Sequence, residues 1–399
     1  MNALTKPIEK SVIYYILITL TCMNFMGQGA LICLILGLFC IAKFPEIEIS
    51  FNTFAIAMFV LCIVITALLF DKSFNEILKS FNYLLIYIAG GNCFRHARNK
   101  TKFIKNTMFF IFIGFLAQLF LHYLYNLDKK IEEGQRRIYS FWTKVFVSVT
   151  LIGLLSAAII GYAYYGIFIC KNKIVKVLSV FSLLLTAVVN LSTATRTPFL
   201  LIAVIFVLMS FIYLIKAPST KKIKVLVTAL LLIILAFILY FNNAFGIKTY
   251  VETTPLFTRI EKSGMETSRV EIFKLFNGYM LQYPFGGGHI SEIVGKEAHN
   301  YLQQGYDNYG IIAFLSLISI TVHFFKNVIL LLKRNTDIEL VILITSVFIS
   351  MFIQCCLEPV FNGYPIEFWM LMMIDGIMSG INSYKNPLNM SEGLLNENS

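Results

Sequence analysis

Thr197-Pro198-Phe199-Leu200-Leu201-Ile202-Ala203-Val204-Ile205-Phe206-Val207-Leu208-Met209-Ser210-Phe211-Ile212-Tyr213-Leu214-Ile215 runs from residue 197 to 215 without a charged side chain. As a helix rising 1.5 Å per residue it reaches about 30 Å, the thickness of a bilayer's hydrocarbon core. In lipid every backbone N–H and C=O needs an internal partner, which makes such a stretch a helix. Working outward, similar runs lie near 11–26, 28–43, 53–70, 80–94, 106–126, 145–166, 173–191, 224–241, 309–326, 338–356 and 366–382. The first two are separated only by Gly27 and Gly29, so one long broken helix is the alternative there. Composition agrees: 58% of the 399 residues are hydrophobic and 14% charged, where a soluble domain carries about 25% charged. The expectation is an all-α polytopic membrane protein with about twelve transmembrane helices.

Basic residues orient these spans. With Lys6 and Lys10 inside, Arg95, Arg98, Lys171, Lys173, Lys221, Lys222, Lys333 and Arg334 all fall in inner loops, as the positive-inside rule requires. The outer loop 127–144, with Lys129, Lys130, Arg136, Arg137 and Lys144, runs against the rule. The net charge of +11 thus serves topology. No basic stripe interleaved with exposed aromatics points to nucleic acid. Residues 1–382 read as one membrane domain, 242–308 as a long extracytoplasmic loop within it, and 383–399 as a polar cytoplasmic tail. The eight cysteines all lie in or beside apolar runs and form no Cys-x-x-Cys pair, so they read as packing residues.

The loop 242–308 is where soluble chemistry fits. Ser268 and Glu271 make a capping-box pattern. Ile272, Phe273, Phe276, Tyr279, Met280 and Tyr283 then repeat at helical spacing. Pro284-Phe285-Gly286-Gly287-Gly288 turns the chain after them. Arg269 stands in the first turn of that helix, in line with its apolar stripe, where a guanidinium needs an anion or a wet cavity. Arg196 is set between two spans in Asn190-Leu191-Ser192-Thr193-Ala194-Thr195-Arg196-Thr197-Pro198, and a charge so close to hydrocarbon is costly. Arginine matches phosphate in a bidentate way that lysine does not. Two outer arginines with the hydroxyls of Ser192 and Thr195 therefore suit a pyrophosphate.

His299 opens His299-Asn300-Tyr301-Leu302-Gln303-Gln304 and can accept a proton near neutral pH. His122 and His323, near the ends of their spans, read as packed or interfacial. No Walker motif, dinucleotide fingerprint or metal-ligand spacing is present, so neither metal nor cofactor is expected. The charges gather on the outer surface, unlike the mid-membrane charges and repeats of a transporter.

Three segments in this order resemble the bacterial O-antigen ligase and O-antigen polymerase superfamily. Ser192-Thr193-Ala194-Thr195-Arg196 is similar to its Ser/Thr–Arg segment. Ser268-Arg269 with Pro284-Phe285-Gly286-Gly287-Gly288 is similar to its arginine helix and Pro-x-x-Gly-x-Gly turn. His299-Asn300-Tyr301-Leu302 with Gly310 resembles its His-Asn-x-x-Leu signature, with the leucine one residue earlier here. Ala313 and Phe273 depart from residues common in the family.

The resemblance implies an inverting, metal-independent glycosyltransferase in the bacterial cytoplasmic membrane, with its site on the extracytoplasmic face. Its donor would be an undecaprenyl-pyrophosphate-linked oligosaccharide. Its acceptor would be a hydroxyl of another lipid-linked repeat unit (polymerase) or of lipid A-core (ligase). His299 would then be the general base, Arg196 and Arg269 would hold the pyrophosphate, and Ser192, Thr195 and Asn300 would complete the binding set. A lipid-glycan flippase is the alternative of another class.

Overall fold

A computed structural model describes residues 7–46, 49–70, 72–127, 137–216, 227, 238–263, 269–334, 337–362 and 364–383. Seven helices among these residues are long and apolar enough to cross a membrane, and Val12–Cys22 and Gly29–Lys43 are shorter apolar helices. Phe74–His96 and Ile366–Ser383 occupy two further predicted spans. The chain is an all-α polytopic membrane protein. Most of the predicted span 224–241, Ser268 of the expected capping box, much of the loop 127–144 and the tail beyond Ser383 lie outside the described residues.

The helices sort by how much of their surface is covered. Thr150–Phe168 is buried without interruption from Leu151 to Gly166, and Ile366–Ser383 is covered nearly all round. A helix apolar on every side belongs at the centre of a bundle. Ile338–Leu357 packs between these two. Lys173–Ser192 and Thr197–Lys216 stand at the rim, with Val177, Leu184, Val207 and Phe211 exposed, as lipid-facing residues are. Phe74–His96 lies directly against Ile366–Ser383, where a methyl group on Gly90 would strike the Met373 carbonyl. Small residues let membrane helices approach this closely.

The first two spans are separate helices, as placed from the sequence, and are joined through Asn24 and Met26 in left-handed backbone conformations. Other features differ from the sequence expectations. The span expected from 145 starts as a strand: Phe146–Ser148 pairs antiparallel with Arg137–Tyr139, and the helix begins at Thr150. The Asn126 side chain clamps both backbone groups of Tyr139, at 2.9 and 3.0 Å, which gives the short hairpin an anchor.

The span expected at 309 is the later part of a helix running Tyr301–Arg334, kinked at Gly310 (φ 83°, ψ −177°). That extension puts His323 well inside a helix instead of near its end. Finally, charged groups are not confined to one surface: Asp375, wholly buried halfway along Ile366–Ser383, lies 3.2 Å from His323 Nδ1.

The kink at Gly310 organises the region of interest. It removes helical partners from the Asp307 and Asn308 carbonyls, and these accept from Gly288 N–H (2.8 Å) and Gly287 N–H (3.1 Å). Ile311 N–H donates to the Pro284 carbonyl at 2.9 Å. Gly286 and Gly310 meet backbone to backbone: a Cβ on Gly286 would lie 2.6 Å from Gly310 N, and one on Gly310 would lie 2.8 Å from Pro284 O. The glycine turn and the kinked helix are therefore one unit, closed by exchanged backbone bonds. Beneath it Ile272, Phe276, Ile290, Ala298 and Tyr306 form a small core of their own. Phe273, expected on the buried stripe, is instead 46% exposed.

Candidate functional site

Tyr301–Arg334 presents Gln303 and Gln304 near its start, both almost fully buried. Gln303 Nε2 donates to the Phe273 carbonyl (3.1 Å) and Asn277 Oδ1 (2.9 Å), which fixes the helix Arg269–Tyr279 against it. Gln304 Oε1 accepts from the N–H groups of Val360 and Phe361, each at 2.8 Å, which fixes the segment after Ile338–Leu357. Two adjacent glutamines thus hold two remote segments on either side of one helix. Asn300 Oδ1 accepts from Leu302 N–H at 2.8 Å and so caps that helix's first turn. His299 is the residue before this cap.

The segments converge on Glu358, which is 1% exposed. Arg269 Nη2 donates to Oε1 at 2.6 Å, and the Thr197 hydroxyl donates to the same oxygen at 2.9 Å. His299 Nδ1 lies 3.6 Å from Oε2, an ion-pair distance and longer than a hydrogen bond. Burial alone would raise the Glu358 carboxyl, but the His299 imidazole, the Arg269 guanidinium and the Thr197 hydroxyl together hold it below the ordinary carboxylate value. The partners themselves are reachable: the Arg269 and His299 side chains are 28% and 26% exposed. A guanidinium has five donors, so one bond to Glu358 does not exhaust Arg269.

The segment holding Arg196 is a strained turn. Ala194 has φ +53°, a conformation costing a residue with a Cβ on the order of 1 kcal/mol. The Ser192 hydroxyl donates to the Val189 carbonyl (2.8 Å), and the Thr193 and Thr195 hydroxyls bond each other (3.0 Å). These hydroxyls shape the turn, whereas Thr197, not singled out in the sequence, reaches Glu358. Arg196, half-buried, immediately precedes Thr197 and so stands one residue from the carboxylate contact.

Arg269 and His299 are thus brought together on Glu358, with the Arg196 turn joined through Thr197. Sequence reasoning passed over Glu358. Its signal was an acidic residue in Leu357-Glu358-Pro359, between two spans, which is the same argument from charge at a membrane boundary that singled out Arg196.

Two cavities open at this end of the bundle. One, of about 240 Å³, is bordered by Ser192, Thr193, Ile152, Val189 and Pro255. The other, of about 270 Å³, is bordered by Tyr83, Glu297, Tyr309, Phe361 and Asn362.

A multi-pass membrane protein with a buried carboxylate gathering an arginine, a histidine and a threonine at one end of its helices is the class that fold and geometry define. Residues 180–318 match the family described as O-antigen ligase, a stretch that contains Arg196, Arg269 and His299. The match supports the O-antigen ligase and O-antigen polymerase superfamily, whose members are in general glycosyl-transferring enzymes acting in polysaccharide assembly. No curated protein matches the chain.

Proposed function

We propose that this protein transfers a glycan from a polyprenyl-pyrophosphate carrier, of the undecaprenyl type, to a sugar hydroxyl on the extracytoplasmic face of the bacterial cytoplasmic membrane. The observation that carries the reading is the convergence of His299, Arg269 and Thr197 on Glu358 from three separate segments.

In this reaction the acceptor hydroxyl oxygen attacks the anomeric carbon, the bond from that carbon to the pyrophosphate oxygen breaks, and the electron pair leaves on the pyrophosphate. His299 takes the hydroxyl proton. With the Glu358 carboxylate beside Nδ1, the proton-bearing nitrogen is Nδ1, and Nε2 is left as the base. Arg269 and Arg196 offset the charge that develops on the leaving group, an electrostatic task suited to guanidinium donors. Ser192, Thr195 and Asn300 keep the segments carrying these groups in shape. A single displacement inverts the anomeric centre. Because the donor carries its own leaving group, neither ATP nor a nucleotide sugar enters the scheme, and no step requires a metal.

We prefer the polymerase acceptor, another lipid-linked repeat unit, since that reaction does not presuppose an outer membrane. The description of the matched family favours the ligase acceptor as a second reading. Purified protein in nanodiscs, given lipid-linked repeat units alone, is expected to lengthen them and release polyprenyl pyrophosphate. Growth only after lipid A-core is added would turn the assignment to ligase. Proteoliposomes that move the intact lipid-linked glycan between leaflets without making a glycosidic bond would overturn the enzyme in favour of a flippase.

A further inference from the structure

The cavity of about 270 Å³ has a lining unlike that of its neighbour. Lys72 and Lys79 are matched there by Glu76 and Glu297, so its wall carries no net preference for an anion. Charged donors and charged acceptors therefore face one small space together. A polyhydroxylated ring, whose hydroxyls both donate and accept, satisfies both kinds, and charged partners make such bonds strong.

The aromatic side of the cavity is rigid. Phe361 stands edge-on to Tyr83 at 6.1 Å and to Tyr309 at 6.0 Å, with Phe59 packed behind it at 5.4 Å. Such faces suit the C–H surface of a sugar ring. Asn308 Nδ2 donates to Asn362 Oδ1 at 2.6 Å, which fixes the amide at the rim.

Its place relative to the site is equally informative. Glu297 is two residues before His299, while Phe361 and Asn362 are three and four residues after Glu358. The bonds from Val360 and Phe361 N–H to Gln304 tie this wall to the helix that follows His299. The cavity beside Ser192 and Thr193 is instead bordered by Leu127, Ile138, Ile152, Val189 and Pro255, with His122 and Asn126 among them, a more apolar lining that suits hydrocarbon better.

We infer that the cavity between Tyr83, Phe361, Lys79 and Glu297 binds a sugar ring of the acceptor glycan and delivers its hydroxyl to His299, with the carrier lipid of the donor lying on the Ser192 side. The inference rests on the transferase reading and adds the acceptor's location to it.

The test uses full-length protein in nanodiscs and two lipid-free probes. One is the repeat-unit oligosaccharide released from its carrier by mild acid; the other is a core oligosaccharide stripped of lipid A. Saturation-transfer NMR should show one of them bound to the wild type. Binding should weaken at least ten-fold in Lys79→Ala/Glu297→Ala, whose side chains are partly or fully exposed. His299→Ala should bind that probe as the wild type does. Neither probe binding the wild type, or undiminished binding to the double variant, would overturn the site. An equal loss of affinity for undecaprenyl pyrophosphate, the donor's carrier without its glycan, would overturn its assignment to the acceptor. Turnover is measured separately: Lys79- and Glu297-dependent binding in a protein that makes no glycosidic bond would sink the transferase reading while keeping the sugar site.

Discussion

Glu358 and Asp375 are both buried carboxylates with a histidine beside them, and they are held in opposite ways. Both oxygens of Asp375 are occupied: Asn327 Nδ2 donates to Oδ1 at 2.7 Å, and Asn52 Nδ2 to Oδ2 at 3.1 Å, with His323 Nδ1 3.2 Å away. Asn382 in turn donates to Asn327 Oδ1 at 3.2 Å, and Arg334 to the Asn382 carbonyl at 2.9 Å. The network ties Phe51–Leu69, Tyr301–Arg334 and Ile366–Ser383 together, and Asn327 and Asn382 are themselves mostly buried.

At Glu358 two donors crowd onto Oε1, while Oε2 has no hydrogen bond among the described residues. Its cationic partners reach solvent. Burial of a charge is therefore not what marks chemistry in this chain. A carboxylate with both oxygens filled by buried amides locks helices, whereas one with an oxygen left over and two partly exposed, only partly engaged cations can hand those cations to a ligand.

The contrast can be broken most directly at His299. Replacing it by alanine is expected to lower product formation by about three orders of magnitude, the middle of the range for a lost general base, with normal membrane insertion. Retained activity in a glycan-transfer assay would remove His299 from the mechanism.

Asp375→Ala should act on the fold, costing on the order of 3–5 kcal/mol because His323 and the amides lose a buried partner. A lower unfolding midpoint, with near-normal turnover in the fraction that folds, is the expected pattern. A fully stable variant without activity would make Asp375 functional and erase the distinction.

Glu358→Gln should slow transfer by roughly 10- to 100-fold, as loss of charge-assisted bonds implies, while Arg269 and His299 lose their alignment. Stability supplies a second readout of the same variant. The folded carboxyl is held below its ordinary value of 4.5, so its charged form contributes stability at neutral pH. That contribution is present above pH 4.5 and disappears as pH falls through the lower folded value. The stability gap between wild type and Glu358→Gln should thus be flat near pH 7 and close only in acid; a gap closing between pH 6 and 8 would implicate a different group.

Thr197→Val should produce the smallest effect. It removes one donated bond at near-constant volume, about 1 kcal/mol or several-fold in rate. If Thr195→Val matched or exceeded it in turnover, the hydroxyls of the turn, and not the bond to Glu358, would be what matters.

Much of this architecture was legible in the chain. Apolar runs located the helices because a span's backbone bonds close within the span. The expected helix after Ser268 is present from Arg269, and its stripe is right at Ile272 and Phe276 but not at Phe273. A repeat every three or four residues identifies an apolar face without saying what will cover its edge. The strand at Phe146–Ser148 was hidden inside an apolar run, since a short run of this kind has no period that separates strand from helix.

At the site, Arg196, Arg269 and His299 stood out because their chemistry is expensive or rare at a membrane boundary. Gln303 and Gln304 were on the page as a polar pair, but their partners at Phe273, Asn277 and Val360 were not.

By itself, then, the sequence determined that this is a helical membrane protein and which exposed cations merit attention, because both follow from the local cost of placing polar groups in hydrocarbon. Tertiary structure decided that Arg269 and Thr197 share one oxygen of Glu358, across separations of 89 and 161 residues. It also decided that Gly286 packs on Gly310 and that Asp375, not Glu358, is sealed. Such pairings are chosen by how helices pack and kink, and neither periodicity nor spacing along the chain encodes which distant partner a buried charge will meet.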